Sequence, residues 1–521
     1  MNTHILMPTF PQPGLERRWK KLAGQPNGDA GDPYTGYDRF NRVEQMLWQR
    51  SAGVPPVPMP LVHVQWGYNR ASLKTWRKDL LAPASSGQDL HFGYDGLYQV
   101  AERQRGLLNT NTSAIGGIPS QQEDFSYDET GNWVSYRQAN TGELDIDQSR
   151  VNNRSNQITQ VDGSSAGVSY DRNGNMLELP TGEALTGPPR KLVWDAWDRL
   201  VEVRDAEDTP IASYQYDAQT RRTVETTGAG ESTVARHFYY NDQWRSVEER
   251  LDASTEPERQ QVWQPSDRYE LLLRDRSTGN DGEVDERLYP MKDQLDPVAL
   301  CDATGTVVER YAYSAFGMPT FLNADFTPVE GSASALFWNF LFHAEFSDPQ
   351  TGWFNYGYRY YLPELGRWPS RDAVEKASSA NLYAYVDNRP LGGIDLLGLS
   401  PAWALPPQLA GNDQFSQDYQ KGWYDIAKWA PAAFLAIPVA FALESGAAAA
   451  ASAATAGALR KCLRKGTKCV LLRDRRNQSL PGIDDDPLWR VHECLYRCNN
   501  RNIYKYFPGM CPGVLWLPPG I

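Results

Sequence analysis

The chain has 521 residues, of which 41% are hydrophobic and 22% charged, so it is neither a disordered chain nor a multi-span membrane protein. Its formal charge of −12 excludes a generic nucleic-acid binder, because phosphate binding needs a basic face. With 42 glycines, 36 prolines and an aromatic share of 12%, the composition predicts a mainly β chain of short strands and tight turns.

The chain does not begin with a charged leader and a long apolar core, so no Sec signal peptide is expected. Export by another route, or a chain that is the C-terminal piece of a longer protein, are the readings that follow. After an N-terminal segment (1–34), a Tyr-Asp pair followed by a turn recurs through residues 35–289. Clear copies are Tyr37-Asp38, Tyr94-Asp95, Tyr127-Asp128 with Gly131-Asn132, and Tyr170-Asp171 with Gly174-Asn175. Degraded copies follow at Trp194-Asp195, Tyr216-Asp217 and Tyr240-Asn241. An aromatic ends a strand, Asp opens an Asx-type turn, glycine supplies positive φ, and alternating residues begin the return strand. The product is a long β-ribbon that buries its edges by coiling on itself.

Residues 290–399 carry more specific motifs. They are Asp302-Ala303-Thr304-Gly305, Tyr311-Ala312-Tyr313-Ser314-Ala315-Phe316-Gly317, Phe346-Ser347-Asp348-Pro349, Tyr358-Arg359-Tyr360-Tyr361, Leu365-Gly366-Arg367-Trp368, Ser370-Arg371-Asp372, Asn381-Leu382-Tyr383-Ala384-Tyr385 and Asp395-Leu396-Leu397-Gly398-Leu399. In order and spacing, this segment resembles the core domain of the RHS/YD-repeat family of bacterial polymorphic toxins. Relatives of that family include the Tc toxin C subunits and, more distantly, teneurins. The resemblance covers about residues 35–399.

It implies a β-ribbon coiled into a partial or full shell around a C-terminal cargo, with the core domain curling inward as a plug. It also implies an aspartyl-type cut of the chain's own backbone after the last Leu of the core. Carried over by matched position, Asp372 and Asp395 are the expected catalytic carboxylates, Arg371 their supporting charge, and Leu399-Ser400 the bond cut. Such a pair works with one carboxylate ionised to activate water and the other protonated to polarise the scissile carbonyl. The Asp-Pro steps usual at both sites are Asp372-Ala373 and Asp395-Leu396 here, which leaves the backbone less constrained. No cofactor or metal is implied. Secretion or display at the cell surface, and an immunity protein for the cargo, are implied by the resemblance alone.

Residues 400–521 occupy the payload position and match no known motif. Composition changes sharply there, from −17 over residues 1–399 to +5 over the remainder, and five of the six cysteines lie in this last part. A small separate α-rich or mixed domain is expected, with a short amphipathic helix over 415–428. The apolar stretch 429–459 reads either as a membrane-contacting segment or as a buried Ala-rich hairpin. Cys462, Cys469, Cys494, Cys498 and Cys511 read as disulfides or free thiols before zinc ligands, whose spacing is usually tighter. The favoured function is a self-cleaving RHS-type toxin carrier. The alternatives are a non-cleaving cell-surface or carbohydrate-binding YD-repeat protein, or a truncated remnant of a longer one.

Overall fold

A computed structural model describes residues 36–403, apart from 39, 41, 53–56, 229, 266, 330, 332 and 374–380, together with strands at 15–19 and, in the tail, at 467–476, 491–498, 501–508 and 514–517. The chain forms two compact units, Met1–Pro431 and Ala432–Ile521.

Period-two sequence makes the strands of the first unit. In Glu143–Asn152, Ile146, Gln148 and Arg150 are buried while Glu143, Asp145, Asp147 and Ser149 face solvent. Ten such strands, from Leu15–Trp19 to Ile158–Val161, form one sheet in strict chain order. Fourteen more, from Ser169–Tyr170 to Pro319–Asn323, form a second in the same order. Within each sheet every strand pairs antiparallel with the next, as in Trp133–Asn140 with Glu143–Asn152, so each sheet is a continuous meander, the expected mainly β ribbon.

The corners show why the Tyr-Asp pair repeats. In one corner, Asp217 Oδ1 accepts the backbone N–H groups of Gln219 (2.8 Å) and Arg221 (3.0 Å), and the Arg221 guanidinium closes on Oδ2. Thr220 takes positive φ within it. Many of the aromatics that precede a corner then reach back to the carbonyl that follows an earlier corner. Tyr94 donates to Lys74 O (2.7 Å), Trp194 to Met176 O (2.6 Å), Tyr216 to Leu200 O (2.5 Å), Tyr240 to Arg222 O (2.7 Å) and Trp263 to Ser246 O (2.7 Å). Asn69, Asn153, Asp205 and Asp302 make the same side-chain turns without a preceding Tyr-Asp signature.

The start of the ribbon packs on its end. Met46, Trp48, Val62 and Val64 share one buried cluster with Tyr289, Met291 and Ala299. Trp48 Nε1 donates to Lys292 O (2.7 Å) and Arg310 Nη1 to Leu61 O (3.1 Å). Side chains make this junction, since the two sheets share no ladder among the described residues.

From Phe326 to Leu399 regular structure dwindles to strands of two to four residues, and the aromatic residues converge. Phe342, Phe354, Tyr356, Tyr361, Trp368 and Tyr385 are buried together, with Tyr361 and Tyr385 stacked at 3.9 Å. This aromatic segment lies at the place in the chain where the plug is expected. The ribbon grips it with buried charges. Glu345 accepts from Arg245 (2.6 Å) and Arg268 (3.3 Å), and Asp348 from Arg222 (3.0 Å) and Tyr214 (2.8 Å). Corners read it as well: Asn381 donates to Asn132 Oδ1 (2.8 Å), Tyr383 to Gly174 O (2.8 Å) and Asn388 to Gly131 O (2.8 Å).

In the second unit, Thr467–Arg476, Val491–Cys498, Arg501–Pro508 and Val514–Leu517 form a four-stranded antiparallel sheet. Its backbone register sets Cys469 opposite Cys498. The helix expected at 415–428, the apolar stretch 429–459, Cys462 and Cys511 lie outside the described residues.

Candidate functional site: a carboxylate pair at the last hairpin

The last strand of the plug, Gly393–Leu396, pairs with Ser400–Trp403, and the register sets Asp395 opposite Pro401 and Leu396 opposite Ser400. The link between them is a tight turn in which Leu399 N donates to Leu396 O (3.1 Å). Leu397 (φ 60°) and Gly398 (φ 68°) both take the left-handed conformation. Two consecutive positive φ values match the right-handed twist of a hairpin. Glycine adopts them freely, whereas a leucine is held there only by its surroundings. Those surroundings are Trp244 and Leu399, buried with Leu397 in one cluster, with Tyr358, Ala373 and Leu396 against it. The predicted cut between Leu399 and Ser400 therefore falls immediately after a strained, packed turn.

The two sequence-predicted carboxylates come together beside this turn. Arg359 Nη2 lies 3.0 Å from Asp372 Oδ2 and 3.4 Å from Asp395 Oδ2, and all three side chains are at most 8% exposed. Asp372 is fixed from its own backbone, whose N–H donates to Leu382 O (3.0 Å). The guanidinium also donates from Nε to Gly398 O (2.5 Å) and from Nη1 to Leu382 O (3.3 Å), and it lies 4.1 Å over the Trp368 ring. One cation thus ties both carboxylates to the carbonyl of the residue before Leu399.

Arg359 brings to both carboxylates a charge that the sequence reading, which named Arg371 as their support, did not include. Arg371 is exposed, and its side chain crosses Gly174, where an added Cβ would meet Arg371 Cδ at 2.7 Å. Sequence held a signal for Arg359. A lone cation inside the aromatic run Tyr356–Tyr361 must be paired if that run is buried.

Chemically, two buried carboxylates converging on one guanidinium suit acid–base work. The cation offsets the repulsion between them, and its hydrogen bond to Gly398 O orients the turn that carries the adjacent peptide.

The description "Teneurin YD-shell" matches residues 113–391, more than half of the chain. The tRNA3(Ser)-specific nuclease WapA of Bacillus spizizenii is 28% identical over 280 residues, 52% of this chain and 11% of that protein. Double-stranded DNA deaminase toxin A of Burkholderia cenocepacia is 23% identical over 402 residues, 72% of this chain and 25% of its own. Toxin subunit YenC1 of Yersinia entomophaga is 24% identical over 377 residues, 63% of this chain and 35% of that subunit. The chain thus spans 11–35% of the length of these relatives. Among solved structures, the Photorhabdus luminescens Tc holotoxin pore superposes with a TM-score of 0.55 at 19% identity, over 70% of this chain and 18% of that one. The fold is shared at that level. The corner ladder, the plug and these matches together place the chain in the teneurin YD-shell family, as an RHS/YD-repeat protein related to the Tc toxin C subunits.

Proposed function

We propose that this chain is an RHS-type toxin carrier that cuts itself once, between Leu399 and Ser400, and so separates residues 400–521 from the YD-repeat body. The observation that carries the reading is the buried junction of Arg359 with Asp372, Asp395 and the Gly398 carbonyl. In the reaction one carboxylate takes a proton from water as the water oxygen bonds to the Leu399 carbonyl carbon. The other, protonated, donates toward that carbonyl oxygen. The C–N bond then breaks as the first carboxylate passes its proton to the departing Ser400 nitrogen, which leaves as an amine, and the proton on the carbonyl oxygen returns to the second carboxylate.

Three of the similar proteins are named as nucleases or a deaminase toxin by their own activities. The change from −17 to +5 at this bond fits a body and a payload made for different tasks. Enclosure of the tail by the ribbon, and an immunity protein that neutralises it, belong to the same reading. The decisive measurement is the mass of the full chain after expression and folding. A fragment ending at Leu399 is expected from the wild type and none from Asp372→Asn or Asp395→Asn; a wild type as intact as those variants overturns the reading.

A second reading, a surface that binds glycans, draws on the exposed aromatics at corner tips. Trp197 is 69% and Tyr98 50% exposed. Residues 1–399 on a glycan array would bind specifically under that reading, and Trp197→Ala would abolish the signal.

A further inference from the structure

We infer that Trp244 is the residue that fixes which side chain the self-cleavage accepts at position 399, a specificity-determining wall supplied by a repeat corner; this rests on the self-cleavage reading above. The first observation is local. In the Asn241 corner the positive-φ position is Trp244, at 60°. Corresponding corner positions elsewhere hold Gly131, Gly174, Asn156, Asp198, Asp208 and Thr220, small residues or ones that tolerate this conformation, and the two aromatics Tyr98 and Phe326. A bulky aromatic there is strained and persists only where its surroundings fix it.

The second observation is what holds it. Trp244 is buried, its ring stacked on Tyr358 at 4.7 Å; of the other large residues in such a position, Tyr98 is half exposed and Phe326 is buried under the Arg310 guanidinium. Tyr358 precedes Arg359, and its backbone N–H donates to Leu397 O (3.1 Å). Trp244 and Leu397 meet over Gly357. An added Cβ on that glycine would lie 3.2 Å from Trp244 Cε3 and 3.3 Å from Leu397 Cδ2. Leu399 completes the same cluster, with Ala373 and Leu396, the neighbours of the two carboxylates, packed against it. Among the described residues of this apolar cluster the indole is the member that comes from the ribbon, and it packs with the leucines on either side of Gly398.

A pocket with such a wall discriminates by size. The test uses the full chain, with the single-turnover rate and the cut position read by mass spectrometry. Leu399→Phe should be cut about tenfold more slowly than wild type, the ordinary penalty for a side chain that misfits an apolar subsite. Trp244→Leu should also slow the cut of Leu399, and the double variant Trp244→Leu with Leu399→Phe should be cut faster than Leu399→Phe alone. A purely structural role for Trp244 predicts losses that multiply. A double variant no faster than Leu399→Phe, or Trp244→Leu cutting at the wild-type rate, overturns the assignment. If thermal melts show Trp244→Leu unfolded, Trp244→Phe, which keeps the stack on Tyr358, carries the same comparison with the same two outcomes. Asp372→Asn separates the two claims. If it is cut like the wild type, the self-cleavage reading fails; if it is inert while the Trp244 variants leave rate and specificity unchanged, only the role of Trp244 fails.

Discussion

From Gln45 to Asn323 each strand is paired with its neighbours in the chain, save at the break between Ile158–Val161 and Ser169–Tyr170, whereas from Phe326 to Leu399 the strands are fragments and the segment is held by rings and by side chains reaching in from the ribbon. The two regions bury themselves by different physics. In the ribbon the same corner and the same tether recur many times, so each instance contributes little and its loss is local. In the plug each contact occurs once. Arg359 serves two carboxylates and two carbonyls, and Glu345 serves two arginines. Fragility should therefore concentrate in the plug, even though the ribbon is longer.

That contrast can be broken by experiment. The largest effect is expected for Arg359→Gln, which leaves two buried carboxylates without their counter-charge and should cost about 3–5 kcal/mol in denaturant unfolding. Trp368→Ala, removing a fully buried ring beneath the same guanidinium, should cost about 3–5 kcal/mol by leaving a cavity. Tyr240→Phe deletes one ribbon tether, and only about 1 kcal/mol is expected. A tether variant as damaging as Arg359→Gln would refute the distinction.

The joint between the regions should show in pH dependence. Asp296, which accepts the His343 N–H at 2.7 Å, has its carboxyl pushed up to about 7 by burial and by the charge of Asp293. Between roughly pH 4, the ordinary carboxylate range, and 7 the folded chain holds a proton that the unfolded chain has released, so stability falls as pH rises through that window. Asp296→Asn should flatten that fall, measured by melts across the range. Burial pushes the His343 imidazole down to about 3, so its contribution runs the other way, and stability falls as pH drops below about 6.5. The smallest effect belongs to the ribbon surface, where Arg137 pairs with Asp147 at more than half exposure. Arg137→Ala should leave the melting temperature unchanged.

Legibility followed the same division. Corners announced themselves where an aromatic preceded Asp, because side-chain turn and tether are written in adjacent residues. Those at Asn153 and Asp205 were missed because their turns carry no tyrosine before them. The carboxylates Asp372 and Asp395 could be named from matched motifs. Arg359 could not be assigned to them, since only the folding of the plug brings the three residues together. Leu397 and Trp244 were equally silent, because a positive φ at a large residue is set by tertiary packing and leaves no local mark.

The tethers carry one more consequence. Tyr216 reaches back sixteen residues and Tyr127 twenty-seven, yet each ends on the carbonyl just past an earlier corner. The ribbon is thus indexed by corners and not by residues. A strand can lengthen or shorten by whole pairs without disturbing the address of the next turn, so irregular spacing in the sequence is compatible with a regular row of corners for the plug to read.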